Sequence, residues 1–163
     1  GGGSGAYCIE ACKANPDLKA VVLDLPAVVP VTREFIAENG LEDRIEAQAC
    51  DFNSDPFPDG ADVAVMASNL PMYGREAFAA VAKKAYAAMA PGGTFHLIGE
   101  SLDPDRSGPG DPAMWGLAQA INNTTGIAHS TAEVEGYLSD AGFTDVQTDV
   151  FVEGILQRTS GVK

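Results

Sequence analysis

Gly1-Gly2-Gly3-Ser4-Gly5 opens the sequence, and Val21-Val22-Leu23-Asp24-Leu25-Pro26 follows after one amphipathic run. A glycine-rich turn that opens a helix lets a ligand approach backbone N–H groups at the positive end of that helix. An acidic residue about 20 positions further on, at the end of the next strand, is suited to hold ribose hydroxyls. Together the two stretches predict the nucleoside half of a cofactor site.

The glycine spacing alone leaves three interpretations open. The turn could be a flexible linker, or a dinucleotide-binding turn, since Gly1, Gly3 and Ala6 fit the G-x-G-x-x-A form. It could equally be a site for the methyl donor S-adenosylmethionine. The ordered pattern of helices and strands downstream argues against a linker. The glycine spacing does not distinguish a dinucleotide from S-adenosylmethionine, so the choice between them depends on motifs further along the chain.

Composition narrows the class of protein. A chain of 163 residues that is 45% hydrophobic and 20% charged is typical of a single globular domain, here residues 1–163. The net charge of −13 disfavours both nucleic acid and anionic membrane surfaces as partners. The odd number of cysteines (Cys8, Cys12 and Cys50) suits a reducing compartment and predicts a cytoplasmic location, with small buried thiols and no metal site.

Strand and helix patterns alternate, which predicts an α/β fold with a parallel sheet. Strands are expected at residues 19–23, 44–49, 62–67 and 94–98, and helices at 4–15, 26–38, 74–90 and 131–141, the last capped by Ser130 or Thr131. Residues 144–151 and 155–159 predict a closing hairpin. Residues 100–130 depart from the alternation, with one helical patch at 114–121, and an excursion of this length is usually functional.

Four short motifs follow one another in a fixed order: Asp24-Leu25-Pro26, Cys50-Asp51-Phe52, Ala90-Pro91-Gly92-Gly93 and Ala141-Gly142-Phe143. This succession resembles the catalytic domain of class I S-adenosylmethionine-dependent methyltransferases, and within them the small-molecule family of plant caffeate and bacterial polyketide O-methyltransferases. The resemblance implies a Rossmann-like, doubly wound, seven-stranded sheet with an antiparallel last strand. It also implies a first strand and a helical dimerisation domain upstream of Gly1, and hence a homodimer.

The resemblance implies S-adenosyl-L-methionine as the cofactor. Asp24 would accept both ribose hydroxyls, and Leu25 would pack on the adenine face. The remaining cofactor contacts implied are Gly1, Gly3 and Gly5 around methionine and ribose, Asp51 at the adenine amino group, Phe52 beside the ring, and Ser68. For Asp51 and Phe52 the alternative is a strand-end turn with a core aromatic.

The sequence departs from the family at its catalytic positions. Residues 68–74 contain no histidine where O-methylating members carry the general base, and Ala128 replaces a family glutamate. The candidates for acceptor orientation are therefore Glu100, Asn69 and His129. The alternatives are that Glu100 is a solvated acid at a strand end, that Asn69 only forms a turn, and that His129 faces water at the start of a helix. A second histidine, His96, is expected to be a satisfied core residue.

Polar and aromatic side chains in the irregular segment are expected to line an acceptor pocket. A tryptophan with amide neighbours suits a small ligand that has a polar end. The candidates are Tyr73, Met114, Trp115, Gln119, Asn122 and Asn123.

The missing histidine has a chemical meaning. A phenol or alcohol benefits from a base, whereas a thioether attacks a sulfonium methyl group without losing a proton. The sequence therefore predicts methyl transfer to a small-molecule acceptor, with thioether S-methylation, as in sulfoniopropionate biosynthesis, as the leading version. The alternatives are O-methylation of a phenolic or polyketide metabolite, non-methylating chemistry on the same cofactor, and a nonenzymatic dimerising subunit.

Overall fold

The computed structural model describes residues 1–122 and 125–163. Helices and strands alternate along most of the chain, which confirms the predicted α/β class. The chain divides into two compact units, residues 1–56 and residues 57–163, which are called the N-terminal unit and the C-terminal unit below. In residues 1–122 and 125–163, no helix combines the length and apolarity that a membrane span requires.

The N-terminal unit contains two helices and two strands: α1 (Ala6–Ala14), β1 (Ala20–Asp24), α2 (Val29–Glu38) and β2 (Ile45–Ala49). The strands are parallel, with Ala20 opposite Ile45 and Asp24 opposite Ala49. Ile9, Cys12, Val22 and Ile36 are among the side chains of its apolar core. Buried Cys12 and partly buried Cys8 are free thiols, as the sequence predicts.

Helix α2 begins later than the pattern predicts. The amides of Val28 and Val29 both donate to the carbonyl of Leu25, which makes a turn of the residues after Pro26. The proline in the first turn of the helix is therefore Pro30, where its missing N–H costs nothing.

The C-terminal unit is built on a four-stranded mixed sheet. Its strands are β3 (Val63–Ala67), β4 (Thr94–Gly99), β5 (Thr144–Val152) and β6 (Leu156–Val162), in the order β3-β4-β6-β5. Strands β3 and β4 are parallel, and β6 runs antiparallel to both β4 and β5. This confirms the antiparallel last strand and the closing hairpin. A seventh strand ahead of Gly1 remains a prediction.

The described residues of this unit also form a 3-10 turn (Leu70–Met72) and the helices α3 (Arg75–Ala88), α4 (Gly110–Asn122) and α5 (Thr131–Ala141). Ser130 rather than Thr131 caps α5, in a capping box with Glu133. Helix α4 is longer than the predicted patch, and Pro112 lies in its first turn, where a proline is tolerated.

Helices α3 and α5 cover the sheet, and their core includes Phe78, Phe95, Val134, Leu138 and Phe143. Apolar side chains are exposed at several places among the described residues of this unit, including α4 and the end of β5, one of the two edge strands of the described sheet. The exposed side chains at these two places are Met114, Trp115, Leu117 and Ile121 on α4, and Val150, Phe151, Val152 and Ile155 at the β5 hairpin.

Candidate functional site

The glycine turn of the N-terminal unit has a conformation that only glycine adopts easily. Gly3 and Gly5 have φ angles of +56° and +77°, in the left-handed region. A Cβ on Gly3 would find no atom within 4 Å, so open space faces this residue. A Cβ on Gly2 would lie 2.4 Å from Cγ1 of Val22, so the turn lies directly against β1. The turn is therefore a fixed loop with an open face and not a flexible linker.

Asp24 holds this loop. Its Oδ2 accepts a hydrogen bond from the Gly3 amide and its Oδ1 accepts one from the Leu25 amide, both at 2.7 Å. The residue is buried at the end of β1. Each carboxylate oxygen has two lone-pair sites, so both oxygens keep acceptor capacity for a ligand. The predicted ribose-binding residue thus also shapes the loop.

Thr32 is a loop-positioning residue that the sequence reasoning missed. It is fully buried in α2, and its hydroxyl donates to the Gly3 carbonyl at 2.6 Å. The same hydroxyl lies 3.3 Å from the Val28 carbonyl, one helical turn earlier. In the sequence, Thr32 is marked only as a threonine among the apolar positions of a predicted helix, and this does not reveal the Gly3 carbonyl as its partner.

The adenine-side residues differ in their surroundings. Leu25 follows Asp24 and is 49% exposed, so its apolar surface is open for packing. Asp51 Oδ1 accepts from the Asn53 amide and from Asn53 Nδ2, at 2.9 and 3.1 Å. The Asp51 amide donates to Asp55. Asp51 therefore closes a strand-end turn, as the alternative interpretation expects, and Phe52 beside it is half-buried.

In the C-terminal unit, the carboxyl ends of β3 and β4 lie side by side. Ser68 is exposed with a φ of +60°, an uncommon conformation outside glycine, and its amide donates to the Ile98 carbonyl. Asn69 Nδ2 donates to the Ala67 carbonyl at 3.0 Å. Glu100, just after β4, is half-buried and has no hydrogen-bond or ion-pair partner within residues 1–122 and 125–163. A carboxylate in this state is available to an acceptor.

His129 does not face water, because it is fully buried. Its Nε2 lies 2.8 Å from the Tyr73 carbonyl, and its Nδ1 lies 2.9 Å from the Tyr137 hydroxyl. A carbonyl only accepts, so Nε2 carries the proton and Nδ1 accepts from Tyr137. Burial lowers the pKa of His129 below its ordinary value, which favours this neutral form. Burial likewise raises the pKa of Tyr137 to about 12.

The segment that carries His129 is fixed by ion pairs. Glu133 accepts from the guanidinium of Arg75 through Oε1, at 2.6 and 2.8 Å, and from Arg106 through Oε2 at 2.7 Å. Arg106 also donates to the Ala128 carbonyl. Burial alone would raise the pKa of Glu133, but the Ser130 amide and the two guanidinium groups hold it below its usual range.

Ala128 is at a place where α4 approaches closely. A Cβ on Gly116 of α4 would lie 2.3 Å from the Ala128 amide nitrogen and 2.6 Å from its Cβ. A residue larger than glycine therefore does not fit at Gly116 unless Ala128 shifts.

The predicted acceptor-pocket residues are mostly exposed on α4. Met114 and Trp115 are 63% and 52% exposed, Gln119 is half-buried and Asn122 is exposed. Tyr73 is half-buried, and its carbonyl is the partner of His129. Asn123 lies outside the described residues.

His96 corrects one expectation. It is half-buried in β4 beside Ser160 of β6, but its Nδ1 is buried with no partner in the described part of the chain. It is therefore not a fully satisfied core histidine. Burial, with help from the nearby Arg158 charge, lowers the pKa of His96.

The alternating helices and strands, with a glycine turn held by an acid at the end of the next strand, are typical of the Rossmann-like class of folds. A family model described as the O-methyltransferase domain matches residues 1–144. The chain belongs to this O-methyltransferase domain family.

Three similar proteins illustrate the family. The chain is 36% identical to the 3-hydroxy-5-methyl-1-naphthoate 3-O-methyltransferase of Streptomyces sahachiroi, over 100% of this chain and 47% of that protein. It is 33% identical to the L-tyrosine C(3)-methyltransferase of Streptomyces lavendulae, over 88% of this chain and 39% of that protein. The crystal structure of human N-acetylserotonin methyltransferase in complex with S-adenosylmethionine superposes with a TM-score of 0.87 and 29% identity, over 100% of this chain and 46% of that one.

The chain thus spans less than half the length of these relatives. Their names describe methylation at oxygen and at carbon, so they do not support the thioether acceptor that the missing histidine led us to expect.

Proposed function

We propose that this chain is the cofactor-binding part of an S-adenosylmethionine-dependent methyltransferase whose acceptor is a phenolic aromatic metabolite. The observation that carries the proposal is the loop of the N-terminal unit, in which buried Asp24 pins Gly3 and keeps acceptor sites on both oxygens. The acceptor class is supported by the two relatives above, one named for a hydroxynaphthoate and the other for tyrosine.

The residues of the loop fit the cofactor. The space facing Gly3 is open, the Asp24 carboxylate is suited to a ribose diol, and Leu25 offers an exposed apolar surface for a purine. Gly1 and Gly5 complete the loop, and Phe52 is the further candidate for the purine. Bound S-adenosylmethionine supplies an electrophilic methyl group on a positively charged sulfur. Asp24 and Leu25 would orient its nucleoside half.

Glu100 is the best candidate for handling the acceptor proton. It is the family-matched acid that the chain retains, and its carboxylate has no partner among the described residues. In O-methylation, the phenol O–H bond would break and Glu100 would accept the proton. The phenol oxygen would bond to the methyl carbon as the bond from that carbon to the sulfonium sulfur breaks, which leaves the neutral thioether S-adenosylhomocysteine. Asn69, at the neighbouring strand end, would orient the acceptor through its side-chain amide.

The test compares Glu100→Gln with Glu153→Gln in the full chain. Glu153 lies exposed in the hairpin turn, so its substitution removes the same charge away from these strand ends. With a hydroxynaphthoate and a tyrosine acceptor, we expect Glu100→Gln to lower kcat/KM by about 10²–10⁴-fold, as for the loss of a general base, and Glu153→Gln to leave it unchanged. Equal activity of the two variants would reject Glu100 as the base.

Carbon methylation is the second candidate, because the tyrosine-specific relative is named for C(3). A phenolate is nucleophilic at the ring carbon next to its oxygen as well as at oxygen. Removal of the hydroxyl proton by Glu100 would promote attack from either atom. After attack from carbon, that ring carbon loses its hydrogen as a proton and the oxygen is protonated again, so that the aromatic phenol re-forms. Both products are one CH₂ unit heavier than the acceptor, so NMR of the purified product decides: a methoxy signal indicates oxygen and an aryl-methyl signal indicates carbon.

Three further expectations stay proposals. They are a homodimer formed through an upstream helical domain, a cytoplasmic location, and acceptor contacts from the exposed α4 side chains Met114 and Trp115. Calorimetry with S-adenosylhomocysteine distinguishes a methyltransferase, whether it methylates oxygen or carbon, from a nonenzymatic subunit, because the subunit would not bind this ligand.

A further inference from the structure

His129 has a fixed backbone. The Leu102 amide donates to the His129 carbonyl at 2.8 Å, and the Thr131 amide donates to the Leu102 carbonyl at 2.9 Å. These bonds join the chain just after β4 to the residue before α5. The two bonds tie the main chain at and after His129 to the residue Leu102, so the imidazole projects from an anchored position.

The imidazole also has a fixed orientation. The Tyr137 hydroxyl lies at Nδ1, the Tyr73 carbonyl lies at Nε2, and the Phe78 ring packs edge-to-face against it with 5.2 Å between ring centroids. Since both ring nitrogens are used inside the protein, neither is available to take a proton from an acceptor. This arrangement suits a group that holds another part of the protein.

The part that it holds is the segment 68–74, between β3 and α3. This segment starts at Ser68 with its left-handed φ, continues through Asn69 and the 3-10 turn, and ends at Tyr73 and Gly74. The Ile127 amide donates to the Pro71 carbonyl at 3.2 Å, and His129 Nε2 donates to the Tyr73 carbonyl. The second bond is shorter and comes from a completely buried donor.

We infer that His129 is a positioning residue, which fixes the segment 68–74 for the acceptor by donating its Nε2 proton to the Tyr73 carbonyl. The inference rests on the proposed function, because that function places Asn69 at the acceptor, and the sequence predicts Tyr73 in the same pocket. It differs from a role as displaced base, since the imidazole keeps its proton throughout. The residue that the sequence suggests as a base thus acts through the backbone of another residue.

A matched pair of substitutions tests the donated bond. In His129→Gln the amide nitrogen occupies the place of Nε2 and still reaches the Tyr73 carbonyl. In His129→Asn the shorter amide occupies the place of Nδ1, facing Tyr137, and falls short of Tyr73. The third variant, Tyr137→Phe, removes the other partner of His129 and leaves the bond to Tyr73 in place.

The first measurement is steady-state kinetics of the full chain with a hydroxynaphthoate acceptor and saturating S-adenosylmethionine. We expect His129→Asn to lower kcat about 10–100-fold, the effect of a small misplacement of reacting groups. His129→Gln and Tyr137→Phe should stay within about threefold of wild type, although Tyr137→Phe also leaves a buried group unpaired. Equal losses in all three variants would mean a merely structural role. A fully inactive but folded His129→Gln would mean that the imidazole itself does the chemistry.

The second measurement does not depend on activity. Amide hydrogen exchange of residues 69–73 and of residues 125–129 should accelerate at least tenfold in His129→Asn, and in neither of the other variants. Unchanged exchange in His129→Asn would overturn the inference whatever the activity. A wild-type chain that transfers no methyl group, but shows this exchange pattern, would overturn the proposed function and leave the positioning bond standing.

Discussion

Substitution of Asp24 by asparagine tests the loop most directly. The side chain keeps its shape, but one carboxylate oxygen becomes an NH₂ group. Asp24 accepts from the Gly3 and Leu25 amides at 2.7 Å, so one of these N–H groups would then face another donor. A hydrogen bond to a charged group contributes about 1.5–3 kcal/mol. We expect the free energy of unfolding to fall by about 2–3 kcal/mol, because one such bond is lost.

The same substitution should weaken cofactor binding. If Asp24 also accepts from the ribose hydroxyls, a second charged hydrogen bond is lost in the complex. Since about 1.4 kcal/mol corresponds to a tenfold change, the Kd for S-adenosylhomocysteine should rise about 10–100-fold. Urea denaturation followed by circular dichroism measures the first effect, and isothermal titration calorimetry measures the second. Asp43→Asn is the matched control, because Asp43 is an exposed acid of the same unit.

The two measurements refute different parts of the reasoning. A variant that unfolds at the same urea concentration as wild type would show that the two amide bonds do not stabilise the loop. A destabilised variant that binds S-adenosylhomocysteine with unchanged affinity would show that Asp24 supports the loop without touching the ribose.

Three other perturbations have defined outcomes. Gly2→Ala should abolish S-adenosylhomocysteine binding in calorimetry, because the added Cβ would lie 2.4 Å from Val22 Cγ1. The double variant Gly2→Ala with Val22→Ala should recover part of this binding, and no recovery would contradict the clash. Burial lowers the pKa of His129 in the folded protein, so below about pH 6.5 the histidine of the unfolded chain takes up a proton more readily. The contribution of His129 to the free energy of unfolding is therefore complete above about pH 6.5 and decreases as the pH falls below that value. Urea denaturation of His129→Gln checks this, because its unfolding midpoint should fall less than that of wild type as the pH is lowered. Gly116→Ala should lower the melting temperature, because the added Cβ would lie 2.3 Å from the Ala128 amide nitrogen; an unchanged melting temperature would contradict that packing.

Much of the N-terminal unit could be predicted from sequence, because its signals are local. The glycine turn, the strand that ends at Asp24 and the helix end at Asn39 and Gly40 each depend on a few neighbouring residues. The antiparallel hairpin was predictable for the same reason. Asp24 is an instructive case, since its place at the end of the strand was predicted, whereas its hydrogen bond from the Gly3 amide was found only in the structure.

The acceptor-side residues could not be predicted in the same way. His129 lies 56 residues from the Tyr73 carbonyl along the chain, and no periodic pattern marks such a pair. Its burial depends on Tyr137 and Phe78, which arrive from two different helices. The Thr32 hydroxyl raises the same difficulty, since its partner is 29 residues away. Long-range polar contacts of this kind follow from tertiary packing, which a single sequence does not display.

The apolar end of strand β5 has a consequence for handling the protein. In the described sheet β5 is one of the two edge strands, and Val150, Phe151 and Val152 near its end are exposed, so this edge can pair with another molecule. At neutral pH the net charge of −13 keeps the molecules apart by mutual repulsion. Acidification toward the isoelectric point of about 4.3 removes that repulsion. Precipitation and fibre growth are therefore hazards of acidic buffers, and purification and crystallisation trials should stay well above that pH.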